Sequence, residues 1–171
     1  RGAEFGLTIS KPTSATLDDW YRDARLGNYV TNHTTRSHIV EDLERYWFAS
    51  VFSLGSRTQS PRLEDLPTEL LPRHKNIGRK IFTDRFKVQL AEKPSTTVTS
   101  HISKDGHAFI HPDPLQCRSL TVREAARLMT FPDNYIFSGS NGSKYKMLGN
   151  AVPPAFSSII ANVIKRIIPI N

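Results

Sequence analysis

A chain of 171 residues can form one ordinary domain or two small lobes around a real core, and it is too short for a large multidomain enzyme. Apolar residues make up 38% and charged residues 23%, which excludes wholesale disorder. Lys and Arg total 23 against 16 acidic residues, and the resulting net charge of +7 favours a polyanionic partner.

No run approaches the roughly 18 apolar residues needed to span a bilayer, and the first ten residues lack the apolar middle of a signal peptide. The expectation is a cytoplasmic chain with no membrane partner. Arg1-Gly2-Ala3-Glu4-Phe5 resembles a cloning scar or a cut end. Cys117 is the only cysteine, so internal disulfides and a Cys-based zinc cluster are excluded. Residues 1–100 carry fifteen basic and twelve acidic side chains, and residues 101–171 eight and four, so neither half is strongly basic. A local block stands out instead: Arg73, Lys75, Arg79, Lys80, Arg85 and Lys87 face only one acid, Asp84.

In chain order, helices are expected over Leu17–Leu26 and His38–Phe52. The second has Ser37 as N-cap and an apolar face of Ile39, Leu43, Tyr46 and Trp47. Ser60-Pro61, followed by Leu63, Leu66, Leu70 and Leu71, reads as a short proline-bounded helical segment. Arg85–Leu90 alternates, Thr96–Ile102 is rich in β-branched residues, and Lys104-Asp105-Gly106 turns the chain into His107–His111, so a small antiparallel sheet is expected. Thr121-Val122-Arg123-Glu124 spells a capping box, opening a helix that stops before Phe131-Pro132. Its apolar face would be Val122, Ala125, Leu128 and Met129, with Arg123 and Arg127 on a polar flank. The last helix opens at Pro153-Pro154 and carries Phe156, Ile159, Ile160, Val163, Ile164 and Ile167 as a core-facing stripe.

Two stretches carry a resemblance. Arg118–Asp133, RSLTVREAARLMTFPD, and Tyr145–Pro154, YKMLGNAVPP, are similar to the ninth and tenth conserved motifs of DNA cytosine-5 methyltransferases, in the family's order. Pro94–Thr99 resembles the Thr-Leu-type segment closing the family's target-recognition region, with Val98 where Leu is usual. The resemblance covers residues 94–154, and residues 1–93 fall where the family places its variable recognition domain. The family's Pro-Cys nucleophile loop, Glu-Asn-Val glutamate, Gln-Arg-x-Arg segment and glycine-rich S-adenosyl-L-methionine (AdoMet) loop have no counterpart here.

The resemblance therefore implies a mixed α/β (α+β) chain. A recognition lobe over 1–116, with helices and a short antiparallel sheet, would precede a 117–171 segment whose capped and terminal helices dock on an absent Rossmann-like catalytic domain. The complete enzyme would flip a cytosine out of double-stranded DNA and methylate C5 from AdoMet, a catalytic cysteine attacking C6 and leaving by β-elimination. This chain would be a fragment or subunit, inactive alone, partnered by DNA and by the catalytic domain or subunit. A non-catalytic DNA-binding or regulatory subunit reusing the lobe is the alternative.

The implied DNA contacts are Arg73, Lys75, Arg79, Lys80, Arg85 and Lys87 on phosphates and Thr97 near the flipped nucleotide. Asn150, Ala151 and Val152 would line the AdoMet pocket, against a bland reading of Gly149-Asn150 as a left-handed helix stop. Arg123 and Arg127 either touch DNA or bridge internally. Cys117 lacks the flanking residues of the nucleophile loop and reads as structural, and no catalytic residue is assigned. His101, His107 and His111, with Asp105 and Asp113, match no zinc spacing and read as surface or packing residues; no metal is expected.

Overall fold

The computed structural model describes residues 5–7, 20–27, 29–57, 60–72 and 85–168, the first three by backbone alone. The fold is mixed and helix-rich. Its elements are β1 (Phe5–Leu7), β2 (Tyr29–Thr31), α1 (Val40–Ser56), α2 (Val122–Leu128), α3 (Asn141–Asn150) and α4 (Pro154–Ile167), with short 3-10 turns between them. Two compact units form. The first unites residues 1–34, 98–103 and 121–171; the second, 35–97 and 104–120. Where the sequence suggested a single cut between 116 and 117, the chain crosses between units four times.

In the first unit β1 and β2 pair antiparallel, Phe5 opposite Thr31 and Leu7 opposite Tyr29. The capping box of α2 forms as its residues dictate: the Thr121 hydroxyl accepts from the Glu124 N–H at 3.2 Å, and the Glu124 carboxylate from the Thr121 N–H at 2.7 Å. Val122, Ala125, Ala126 and Met129 are buried, whereas Leu128, expected on the apolar face, is exposed. The helix expected over Leu17–Leu26 breaks: Asp23 accepts from the Arg25 N–H and starts a separate 3-10 turn over Ala24–Leu26, closed by Gly27 at φ 56°; residues 17–19 lie outside the described residues.

In the second unit α1 starts two residues later than Ser37 would place it, with Ile39 at the cap and no side-chain cap bond. Its buried arc is Arg45, Tyr46, Ala49, Ser50 and Ser53, leaving Ile39 and Trp47, expected inside, more than half exposed. Hydrogen bonds select that arc. Arg45 Nε donates to the Leu70 carbonyl at 2.7 Å and Ser50 Oγ to the His111 carbonyl at 2.9 Å, so polar residues turn inward. The segment after Pro61 makes 3-10 turns at Leu63–Asp65 and Thr68–Leu70. Leu66, Phe86, Val88 and Ile110 close the core with Tyr46 and Ala49.

The small antiparallel sheet expected over 85–111 does not form as such. Val88 bridges Ile110 in parallel sense, and Ile110 bridges Ser119 antiparallel. Thr96–Ile102 joins neither bridge. The Gln89 side chain captures Thr96, accepting its N–H at 3.0 Å, and Ser100–Ser103 winds into a 3-10 turn. The Lys104–Gly106 turn does form. Gly106 has φ 81°, and a Cβ there would stand 2.7 Å from Ser119 Cβ.

Next to this core His107 Nδ1 lies 2.8 Å from the Tyr46 hydroxyl, which donates to the Asp105 carbonyl at 3.1 Å. Burial holds both His107 and His38 below the usual histidine value and pushes the Tyr46 hydroxyl up. The unfolded chain therefore takes up protons first as pH falls. The stability these histidines contribute is complete above the ordinary histidine value of about 6.5 and drains away below it. Melting temperature should drop between about pH 7 and pH 5, and His38→Gln with His107→Gln should flatten that limb. An unchanged limb in the double variant would assign the acid sensitivity elsewhere.

Helix α4 opens at Pro154 as its sequence dictates, but its apolar stripe is not core. Phe156, Ile159, Val163 and Ile167 are each at least half exposed, and the helix has no buried residue. An amphipathic helix needs a surface to cover, and the described residues offer it none. Together with α3 it has the length and composition of a membrane-crossing segment, more than the sequence reading allowed. The backbone leaves helical geometry over 151–153, however, and α3 carries Lys144 and Lys146.

Candidate functional site

The site residues fall on three pieces of chain. The basic block comes first. Arg73, Lys75, Arg79 and Lys80 lie outside the described residues. Arg85 is described, and its Nη2 meets Asp105 Oδ2 at 3.2 Å. Lys87 holds the Val88–Ile110 bridge in place: its N–H donates to the His107 carbonyl at 2.8 Å, and its carbonyl accepts from the Ile110 N–H at 2.9 Å.

The second piece runs through Thr97, and sequence reasoning missed the residue that holds it. Gln89 is 7% exposed. Its Nε2 donates to the Ala108 carbonyl at 2.8 Å and to Thr96 Oγ1 at 3.1 Å, while its Oε1 accepts from the Thr96 N–H. A buried carboxamide thus satisfies both of its ends on neighbouring chain and fixes residue 96. Thr97 follows, exposed, and Val98 is again buried. The only sequence signal was a polar residue in the alternating Arg85–Leu90 run.

The third piece is the end of α3. Asn150 is exposed, and its side chain has no hydrogen-bond partner among the described residues; Val152 is 59% exposed. Gly149 and Asn150 are both helical, and the helix ends at Ala151 in an extended conformation at φ −81°. The left-handed stop read from Gly149-Asn150 is therefore corrected. An open carboxamide beside an exposed apolar side chain fits a ligand presenting both hydrogen-bonding and apolar edges.

Behind these pieces Arg123 serves as an internal hub, which settles the choice left open between DNA contact and bridging. It is 1% exposed. Nε donates to the Thr31 carbonyl at 2.9 Å, Nη1 to the Pro132 carbonyl at 2.9 Å, and Nη2 to Thr31 Oγ1 and the Tyr135 carbonyl. Burial pushes its guanidinium down to about 10, so it stays charged at neutral pH. Arg127 forks onto Asp133 at 2.9 and 2.7 Å. Asn32, at φ 58°, exchanges side-chain hydrogen bonds with the Phe137 backbone.

The other candidates are packing or surface groups. The half-buried Cys117 thiol donates to the Pro114 carbonyl at 2.9 Å. His107 is buried against Tyr46, and His101 is exposed. Among the described residues no group of three or more His, Cys, Asp or Glu is placed to hold a metal ion.

The family model for C-5 cytosine-specific DNA methylases matches residues 11–166. The chain belongs to that family. Among its relatives is the type II methyltransferase M.Bpa9945I of Bacillus paralicheniformis, 49% identical over 138 residues, which are 81% of this chain and 30% of that protein. The type II methyltransferase M1.HphI of Haemophilus parahaemolyticus is 33% identical over 79% of this chain and 31% of its own length. DNA (cytosine-5)-methyltransferase 1B of Oryza sativa is 45% identical over 71 residues, 42% of this chain. This methylase-family chain thus spans less than a third of the length of the bacterial relatives it matches most fully. Methyltransferase and DNA methylation, in the restriction-modification setting of type II enzymes, describe its family.

Proposed function

We propose that this chain is the DNA-recognition and C-terminal portion of a DNA (cytosine-5)-methyltransferase acting on double-stranded DNA in the cytoplasm. The observation that carries this reading is the uncovered apolar stripe of α4, which begins directly after the open Asn150–Val152 segment. A face of that kind asks for a partner, and a Rossmann-like catalytic domain or subunit supplying the cysteine is the partner proposed. The recognition lobe, proposed as residues 1–116, grips DNA; the segment 117–171 closes onto the catalytic part.

Within that assembly the chain's own residues bind and orient. Arg73, Lys75, Arg79, Lys80, Arg85 and Lys87 hold phosphates, which positions the protein without reading sequence. The Arg85–Asp105 ion pair leaves Arg85 partly neutralised and makes it the weaker contributor. Thr97, held out by the Gln89 clamp, contacts the backbone beside an extruded cytosine. Extrusion costs a few kcal/mol of unstacking, which such contacts offset. The Asn150 carboxamide and the Ala151 and Val152 side chains would hold AdoMet, which supplies the methyl group when bound.

Arg79→Ala, Lys80→Ala and Arg85→Ala together should lower the slope of log affinity against log salt by about two to three, since each phosphate contact contributes roughly 0.9. The loss should be about equal on all DNA sequences. DNA titrations at several salt concentrations measure it, and an unchanged slope would remove the block from the interface.

A further inference from the structure

Helix α3 carries Gly149 one residue before its end, and conformational freedom is not the reason. A Cβ on Gly149 would stand 2.2 Å from the Ser100 nitrogen, 2.3 Å from the Thr99 carbonyl carbon and 2.4 Å from Ser100 Cα. All three are main-chain atoms, so no rotamer change relieves the overlap. The helix and the Thr99–Ser100 backbone touch directly, main chain on main chain. Around this seat Ile102 and Leu148 are fully buried, Tyr145 is 1% exposed and Val98 5%. The turn itself is closed by the Ile102 N–H on the Thr99 carbonyl at 3.0 Å and by Ser103 Oγ on the Ser100 carbonyl at 2.7 Å. Close-packed interiors of this kind transmit displacement instead of absorbing it.

The two pieces of chain joined at the seat end in the two groups assigned above. Thr97 is linked to the turn through Val98, and Asn150 follows Gly149 directly. The geometry points to Gly149 as a positioning residue that couples cofactor occupancy at Asn150–Val152 to the grip on DNA at Thr97. This rests on the proposed function, which assigns those two ends. Holding residues 150–152 restrains the Thr99–Ser100 backbone and, one residue beyond Val98, Thr97. Linkage makes the effect reciprocal, so DNA at Thr97 tightens the cofactor segment to the same degree. An added Cβ must part the helix from the turn by about 1 Å to reach ordinary contact distance, which unseats the connection without touching either ligand.

The test uses the complete methyltransferase with a fluorescent base analogue at the target position, titrated with DNA in the presence and absence of S-adenosylhomocysteine. In the parent protein this cofactor analogue should raise DNA affinity about fivefold or more. Gly149→Ala should bind DNA alone within about twofold of the parent and lose that gain. Ile102→Val, which loosens the same core without parting the backbones, should lower the melting temperature by a few degrees and keep the gain. A Gly149→Ala protein that keeps the gain, or an Ile102→Val protein that loses it, overturns the inference. If Gly149→Ala does not fold, hydrogen exchange on the parent decides: S-adenosylhomocysteine alone should slow exchange of the Ile102 amide, and no slowing overturns the coupling. A parent that methylates DNA but shows no gain removes the coupling alone, whereas a parent without methyl transfer removes the proposed function with it.

Discussion

Arg123→Met should cost about 3–5 kcal/mol of stability, the loss expected when one partner of a buried, hydrogen-bonded charge is removed. Methionine fills much of the space but donates nothing. The Thr31, Pro132 and Tyr135 carbonyls would be left without the donor that now serves each, and each buried unsatisfied group carries its own desolvation penalty. Domains of this size are stable by about 5–15 kcal/mol, so most of the margin of the first unit is at stake. Arg123→Lys should rescue little, because one ammonium cannot reproduce a fork reaching residues 31, 132 and 135. Arg127 is the milder comparison: its side chain is 34% exposed, and its buried partner Asp133 keeps Arg123 at 3.8 Å, so Arg127→Met should cost about 1–3 kcal/mol, less than Arg123→Met. Urea denaturation of the chain separates the two, and equal losses would contradict the hub.

Ile160→Glu with Ile164→Lys should leave the isolated chain folded and prevent its union with the rest of the enzyme. The two positions lie four apart on α4 and are 42% and 48% exposed, and a Glu–Lys pair in that order supports a helix. The chain's melting temperature should therefore hold or rise slightly. In the complete protein the same two charges would be driven against an apolar surface, which costs about 2–5 kcal/mol when they are poorly paired there. Methyl transfer should fall by about thirtyfold or more with DNA binding by the chain unchanged. A complete protein that tolerates the pair would mean that α4 faces solvent.

Local chemistry was the legible part of this sequence. The capping box at Thr121 and Glu124, the turn at Gly106, the proline opening of α4 and the family motifs all depend on residues close together in the chain. What failed depended on distant partners. Arg123 looks like a flank residue on a helical wheel, and only the carbonyls of residues 31, 132 and 135 make its burial possible. The inner face of α1 was misread because Arg45 and Ser50 find acceptors at Leu70 and His111. Thr96–Ile102 reads as a strand by composition, yet a single glutamine seven residues before Thr96 takes the hydrogen bond a sheet would have used. The α4 stripe reads as core by its periodicity, yet it stands exposed, because no surface among the described residues covers it. Gly149 was read through its backbone freedom, whereas its role comes from the backbone of Ser100 lying against it.

The central claim, that this chain recognises DNA while the chemistry resides in a part outside it, is tested most directly by following labelled methyl transfer from AdoMet to cytosine C5. The purified chain, incubated with DNA of mixed sequence, should incorporate nothing above background, and joining it to a family catalytic part bearing the Pro-Cys loop and AdoMet site should restore incorporation. Methyl incorporation by the pure chain alone would contradict the account.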